Sequence, residues 1–220
     1  ACAMFGITDL HDSLNRGPVE SLRPVAAQLD RTMKRGTITV ITGPSGSGKS
    51  TLLRLLEERA AARPSGMRAM LIDPSSPDSL AAPACRGRAF STPLVDLFEC
   101  SVDEAMSLLA RVGLAEAWLF ARRYGQLSEG QKHRAMIALA MARSLHPARA
   151  ASGLHARPPL QPRAILIDEF TSSLDRLTAL ALARSLRRAI DHQRTALESS
   201  STGARARTPA LVLATAHEDI

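Results

Sequence analysis

Residues Gly43 to Thr51 read GPSGSGKST and fit the pattern G-x-x-x-x-G-K-[ST]. The β-branched residues 37–42 (TITVIT) predict a buried strand before this stretch, and residues 50–62 carry leucines at helical spacing after it. Glycines let backbone N–H groups converge on phosphate oxygens, and the N-terminus of the following helix adds a partial positive charge. We therefore expect a phosphate-binding loop between a strand and a helix.

The side chains of this phosphate loop (Gly43–Thr51) indicate a nucleotide with a magnesium ion. Lys49 would reach the β- and γ-phosphates of ATP, and the Ser50 hydroxyl would be a ligand of Mg²⁺. The alternative is a glycine-rich turn with a surface lysine, which the strand before it and the helix after it disfavour. The predicted nucleotide-binding residues of the loop are Gly43, Ser45, Gly46, Ser47, Gly48, Lys49, Ser50 and Thr51.

An apolar run at residues 164–167 (AILI) predicts a second buried strand, which ends in two acids. Asp168 at the tip of this strand would hold Mg²⁺ through water, and Glu169 would polarise the attacking water as general base. Acids after an apolar run are also typical of helix N-termini, so this assignment depends on its pairing with the phosphate loop.

Residues Leu127 to Gln131 read LSEGQ and predict the start of a helix over residues 128–145. Ser128 with Gln131 forms a capping box. Gly130 in the first turn lowers helix stability, which indicates a close approach of the backbone to a phosphate. The alternative is a capped helix without a ligand.

Together these motifs resemble those of the ATP-binding cassette (ABC) ATPase family. The five matching segments occur in family order: Gly43–Thr51 is similar to Walker A, Leu127–Gln131 to the LSGGQ signature with Glu129 for the first Gly, Ile165–Glu169 to Walker B, Ser172–Asp175 to the D-loop, and His217 to the switch histidine.

The resemblance implies one domain over residues 1–220. Its fold would be an α/β P-loop NTPase (RecA-like) core with a mostly parallel sheet and an antiparallel β edge near the N-terminus. A short helical subdomain, approximately residues 92–145, would carry the signature. Residues 147–163 and 195–209 lack periodicity and look like loop insertions without an assigned role.

The resemblance also implies a head-to-tail homodimer with ATP and Mg²⁺ between the two copies. Ser128, Gly130 and Gln131 would bind the partner's nucleotide, with Ser128 at its γ-phosphate. Asp175 would cross the interface. His217 would contact the γ-phosphate and position the water, so that Glu169, His217 and Lys49 form the predicted catalytic set.

The chain departs from the family pattern at three places. No Gln lies between Gln28 and Gln126, and Ser91 aligns with the missing Gln of the Q-loop, which disfavours transporter-style coupling more than hydrolysis. Phe5 is either the aromatic platform for adenine or a core residue. Phe170 replaces the Pro that usually follows the glutamate.

Composition limits the class of protein. The chain has 220 residues, of which 45% are hydrophobic and 22% charged, which excludes disordered, collagen-like and disulfide-scaffold classes. No apolar run approaches the roughly 20 residues of a membrane helix, so we expect no membrane span. The three cysteines show no metal-ligand spacing and the N-terminus does not resemble a signal peptide, so we expect a cytoplasmic protein.

A net charge of +7 leaves the partner open. It fits nucleic acid, an anionic membrane surface or a phosphate substrate, or arginines on solvated faces, such as Arg184, Arg187 and Arg188. Three functions therefore remain: an ATPase dimer that drives another protein or acts on nucleic acid, the ATP-binding subunit of a transporter with a separate permease, and an ATP-gated clamp that hydrolyses little.

Overall fold

A computed structural model describes residues 18–62, 68–145, 162–170, 174, 176–198 and 208–216. Several residues named by the sequence analysis lie outside this part of the chain. They are Phe5, Ser172, Ser173, Asp175 and His217, together with residues 147–161 and 199–207 of the two predicted insertions.

Helices and strands alternate along most of the described chain. In chain order they are α1 (Pro18–Thr32), β1 (Ile38–Thr42), α2 (Lys49–Ala61), β2 (Arg68–Leu71), α3 (Val102–Arg111), α4 (Ala117–Phe120), α5 (Glu129–Leu145), β3 (Pro162–Ile167), α6 (Arg176–Glu198) and β4 (Ala210–Thr215). Short 3₁₀ turns occupy Pro77–Ser79, Pro83–Cys85, Ala89–Ser91, Leu94–Leu97 and Tyr124–Gln126.

The four described strands form one parallel sheet in the order β1-β4-β3-β2. Ile41 of β1 pairs with Ala214 of β4, and Leu211 of β4 pairs with Ile165 of β3. Parallel pairing places the carboxyl ends of all four strands at one edge, which we call the carboxyl edge. Because β4 separates β1 from β3, their ends lie about 10 Å apart, or two strand spacings. The predicted α/β fold with a parallel sheet is confirmed.

Helices cover both faces of this sheet. Side chains alternate along β3 and β4, so that Leu166 and Val212 pack against α1 and α2, whereas Ile165 and Leu211 pack on the opposite side with α3 and α5. Residues 92–145 contain α3, α4 and α5, and no strand, within the described chain. They share their core with the second face of the sheet, and their division as a separate subdomain stays a prediction.

The antiparallel edge expected near the N-terminus is not found in the described chain, where residues 18–32 form α1 and every paired strand is parallel. The physical reason is an apolar stripe at helical spacing, which packs on α2. It consists of Leu22, Val25, Ala26, Leu29 and Met33. Pro24 lies within α1. Proline usually breaks a helix. The packing of α1 on α2 therefore outweighs the local effect of Pro24.

Three element boundaries differ from the predicted ones. The sequence predicts a helix over residues 115–123, and the structure forms only Ala117–Phe120. Strand β3 begins at Pro162, inside the predicted insertion 147–163, because proline is tolerated at the first residue of a strand. Helix α6 continues to Glu198, into the predicted insertion 195–209, since no glycine or proline interrupts it.

Candidate functional site

The phosphate loop leads into α2 without a capping side chain. Gly46 and Gly48 have φ of +79° and +89°, a left-handed conformation that glycine adopts without steric cost. Gly48 is the N-cap of α2, and the first turn of this helix contains no acid. In contrast, Ser101 and Glu104 form a capping box at the N-terminus of α3. The N–H groups at the start of α2 therefore suit an anion from outside the helix.

Lys49 folds back over the phosphate loop. Its ammonium donates hydrogen bonds to the carbonyl oxygens of Gly43 and Pro44, at 2.7 and 2.8 Å. Carbonyl oxygens carry no net charge, so these bonds hold the ammonium at the loop without neutralising it. The side chains of Ser45, Ser47 and Ser50 are exposed, so solutes can reach the loop.

Helix α1 contacts the last glycine of the phosphate loop. A Cβ at Gly48 would lie 2.9 Å from Cδ1 of Leu22, closer than real Cβ contacts. The left-handed backbone conformation therefore favours glycine at position 48, and a larger residue would also require the Leu22 side chain to shift. This contact is not predictable from the local pattern around Gly48, because Leu22 lies 26 residues earlier in a helix that the motifs do not predict.

Asp168 and Glu169 form a tight turn at the carboxyl end of β3. The Oδ1 atom of half-buried Asp168 accepts a hydrogen bond from the backbone N–H of Glu169 at 2.9 Å. Glu169 is exposed and, among the described residues, is the non-glycine residue with a positive φ, +47°. Phe170 is fully buried, and its N–H donates to the carbonyl of Ala214 at 2.9 Å. Strained backbone at such a turn is typical of functional sites.

The residues predicted to hold Mg²⁺ fit that ion by their chemistry. Ser50 in the first turn of α2 and Asp168 after β3 both follow strands at the carboxyl edge, and both offer oxygen. Mg²⁺ prefers few protein oxygens and keeps waters or phosphate oxygens as its other ligands. The part of the chain that is described contains no cluster of three or more His, Cys, Asp or Glu side chains suited to a metal.

Helix α5 begins with the predicted capping box, which the structure confirms. The backbone N–H of Ser128 donates to Oε1 of Gln131 at 3.0 Å, and the N–H of Gln131 donates to Oγ of Ser128 at 3.3 Å. The Glu129 carboxylate, where the family has glycine, lies 2.7 Å from the ammonium of Lys132. A carboxylate at a helix N-terminus competes with an incoming anion, and Lys132 offsets that charge.

His133 is a residue that sequence reasoning missed. It is buried on α5, and this desolvation lowers its pKa below the ordinary 6.5, while the carboxylates of Glu169 and Asp168 act in the opposite direction. Helix α5 therefore passes within electrostatic reach of the acids after β3. The signal available in the sequence was its place in a buried stripe with Ile137 and Ala140.

Comparisons with known proteins agree with this geometry. The model of the family described as ABC transporter matches residues 26–146. The chain is 33% identical over 188 residues to the lipoprotein-releasing system ATP-binding protein LolD of Anaeromyxobacter dehalogenans, which covers 72% of this chain and 67% of that protein. The chain belongs to the ABC ATPase family.

Two further relatives of this cassette are import proteins by name. It is 32% identical to the phosphite import ATP-binding protein PxtA of Stutzerimonas stutzeri, with 78% of this chain and 63% of that protein covered. It is 33% identical to the methionine import ATP-binding protein MetN of Xanthomonas oryzae pv. oryzae, with 72% of this chain and 48% of that protein covered. The cassette therefore spans about half to two thirds of the length of its curated relatives.

Solved structures share the fold of the cassette. The ATP-binding cassette MJ0796 bound to ADP and Pi superposes with a TM-score of 0.51 at 19% identity, covering 84% of this chain and 77% of that one. A putative ABC transporter ATP-binding protein from Pyrococcus furiosus gives a TM-score of 0.53 at 12% identity, covering 84% and 81%. Within the described residues, no helix combines the length and apolar character needed to cross a membrane.

The contact between α1 and the phosphate loop makes the cassette sensitive to substitution of Gly48. We expect Gly48→Ala to lower the free energy of unfolding by about 1–2 kcal/mol, since a Cβ is strained at this φ and meets Leu22. It should also weaken binding of a fluorescent ATP analogue. Gly87→Ala is the matched control, because Gly87 has φ +79° with open space around it. Equal losses for both variants in urea unfolding would show that Leu22 has no effect.

Because the backbone of Glu169 is left-handed, we expect its replacement by glycine to increase the stability of the fold and to lower ATP turnover. Glu169→Gly should raise the free energy of unfolding by about 0.5–1 kcal/mol over Glu169→Gln, because relief of strain exceeds the entropy that glycine gains in the unfolded chain. Both variants should lose ATPase activity. Urea unfolding measures the difference, and a glycine variant less stable than the glutamine variant would contradict the strain.

Proposed function

We propose that two copies of this cassette assemble head to tail and hydrolyse ATP between them, with the energy driving a separate partner. The observation that carries the proposal is the common carboxyl edge. It places the phosphate loop, with the uncapped start of α2, at the same edge as Asp168 and Glu169. The LSEGQ motif at the start of α5 supplies the second half of the site.

Within one copy, the phosphate loop binds the triphosphate through its backbone N–H groups. Lys49 leaves the carbonyls of Gly43 and Pro44 for the β- and γ-phosphates. Ser50 and Asp168 would hold Mg²⁺, and that ion would neutralise charge on the phosphate oxygens. Glu169, exposed in the turn after β3, accepts a proton from the attacking water.

Across the interface, the exposed start of α5 binds the γ-phosphate of the partner's nucleotide. Ser128 contributes its hydroxyl, and Gly130 and Gln131 belong to the same turn. Asp175 and His217 lie outside the described residues, and their proposed roles rest on motif position. His217 follows β4, the strand that runs between β1 and β3.

We propose a protein as the partner that hydrolysis drives, in the cytoplasm. Large apolar side chains are exposed in the segment between β2 and α5: Phe90, Val102, Met106 and Trp118. Such surface favours protein contact, and a separate permease, as the import relatives suggest, is one form of it. Among the arginines of α6, Arg187 pairs with Asp191 at 2.8 Å, so part of the positive charge that would attract nucleic acid is neutralised.

The head-to-tail site predicts ATP-dependent dimerisation of a hydrolysis-deficient variant. Glu169→Gln should lower turnover by at least about a hundredfold, because the general base is lost. It should elute as a dimer in size exclusion with ATP and Mg²⁺, and as a monomer without ATP. Adding Lys49→Ala should abolish this dimer, since phosphate binding is lost. A Glu169→Gln monomer at saturating ATP and Mg²⁺ would refute the assembly, and full turnover of the variant would refute the assigned base.

The ion pair between Glu129 and Lys132 at the start of α5 predicts that a substitution of Glu129 rescues a substitution of Lys132. Lys132→Gln should leave the Glu129 carboxylate to repel the partner's triphosphate and so weaken ATP-driven dimerisation about two- to fivefold, the effect of an exposed charge. Adding Glu129→Gly should restore it. If the double variant is as weak as Lys132→Gln alone, Lys132 acts otherwise than by neutralising Glu129.

A further inference from the structure

Tyr124 is a fully buried side chain to which the catalytic scheme gives no part. It lies in the turn Tyr124–Gln126, directly before the LSEGQ motif. Its hydroxyl donates a hydrogen bond to the carbonyl oxygen of Pro74 at 2.8 Å and lies 3.5 Å from the carbonyl oxygen of Lys132. Its ring meets the ring of Phe90 edge-on, with centroids 5.7 Å apart.

These contacts join three parts of the cassette that are separate in sequence. Pro74 follows β2 at the carboxyl edge, which also bears the phosphate loop and the acids after β3. Lys132 lies in the first turn of α5, next to the residues proposed to bind the partner's nucleotide. Phe90 lies in the segment where the expected Gln of the Q-loop is missing. One side chain therefore touches the sheet edge, that segment and the signature helix.

The hydroxyl of Tyr124 stays a donor under all ordinary conditions. Burial raises its pKa strongly, and the carboxylates of Glu129 and Asp73 raise it further. A buried phenol without a hydrogen-bond acceptor is costly. This bond therefore ties the turn before α5 to the segment that follows β2 at the carboxyl edge.

The segment around Tyr124 is also tied to the segment around Phe90 by its backbone. The N–H of Tyr124 donates to the carbonyl of Thr92 at 3.1 Å, and the N–H of Leu94 donates to the carbonyl of Arg122 at 2.8 Å. A Cβ at Gly125 would lie 3.0 Å from the carbonyl oxygen of Phe90. The two segments are so closely packed that movement of one displaces the other.

We propose that Tyr124 is a positioning residue, whose hydroxyl fixes the start of α5 against the carboxyl edge so that Ser128–Gln131 meet the partner's nucleotide in register. Phe90, with 47% of its surface exposed, is the outer end of this contact. The inference rests on the proposed head-to-tail role of Ser128–Gln131.

Tyr124→Phe tests the hydroxyl while it keeps the ring. We expect kcat of the full chain to fall about tenfold, because small misplacements of reacting groups are costly. The KM for ATP should change less than about twofold, since the phosphate loop is untouched. Ser144→Ala is the matched control. Ser144 is a buried hydroxyl on α5, and within the described part of the chain it donates to the carbonyl of Ala140 at 2.8 Å, one turn earlier, so the kcat of the Ser144→Ala variant should stay unchanged.

Two results for Tyr124→Phe would overturn the proposal. The first is a lower melting temperature with unchanged kcat, which is the behaviour of a merely structural hydroxyl. The second is a rise of KM as large as the fall of kcat. If this variant does not fold, Phe90→Ala replaces it, since its exposed ring is not needed for the core. We expect a two- to threefold fall in kcat, about the effect of one lost aromatic contact, and an unchanged kcat would overturn the proposal.

Ser128→Ala in the same assay separates this inference from the function on which it rests. If Ser128→Ala keeps full turnover, the head-to-tail role of the motif fails, and the positioning role fails with it. If Ser128→Ala loses turnover while Tyr124→Phe keeps it, only the role of Tyr124 is overturned.

Discussion

Parallel pairing of β1, β4 and β3 is the constraint on which the rest of the cassette depends. The strands carry no functional side chain at their centres, where buried Ile, Leu, Val and Ala residues separate two helical layers. Their common direction places the loop after β1 and the turn after β3 at the same edge, about 10 Å apart. In the proposed function a triphosphate with its metal ion would span that gap, so the proposed site needs both segments.

The two sides of this edge are held in different ways. The phosphate loop has left-handed glycines, a following helix without a side-chain cap and a lysine bonded to the loop's own carbonyls, so the start of α2 and the charge of Lys49 suit a phosphate. The turn after β3 instead keeps a non-glycine residue, Glu169, in a left-handed conformation, where buried Phe170 anchors it. The arrangement of the phosphate loop favours binding of an anion. The turn after β3 instead positions the Glu169 carboxylate at the expense of the stability of the fold.

Much of the fold could be predicted from sequence because its signals are local. The strand before the phosphate loop, helix α2, the capped start of α5 and the strand before Asp168 all fall within one or two residues of their predicted bounds. No helix was predicted at α1, because Pro24 disfavours a helix locally. The apolar stripe of α1 stabilises this helix through its packing on α2. Prediction also failed at the end of α6, which continues to Glu198, because no distinct stop signal marks that boundary.

The sequence by itself determined the chemistry of the cassette, since a phosphate loop, a strand-end carboxylate and a capped signature helix each need contiguous residues in a fixed order. The sequence also identified Lys49, Ser50, Asp168 and Glu169 as candidate site residues, because their motifs are recognised without knowing the distances between these side chains. Only the tertiary structure decided that Leu22 packs on Gly48, that His133 lies near the acids after β3, and that Tyr124 joins Pro74, Phe90 and Lys132. These contacts join residues far apart in the chain, and packing rather than local pattern selects them.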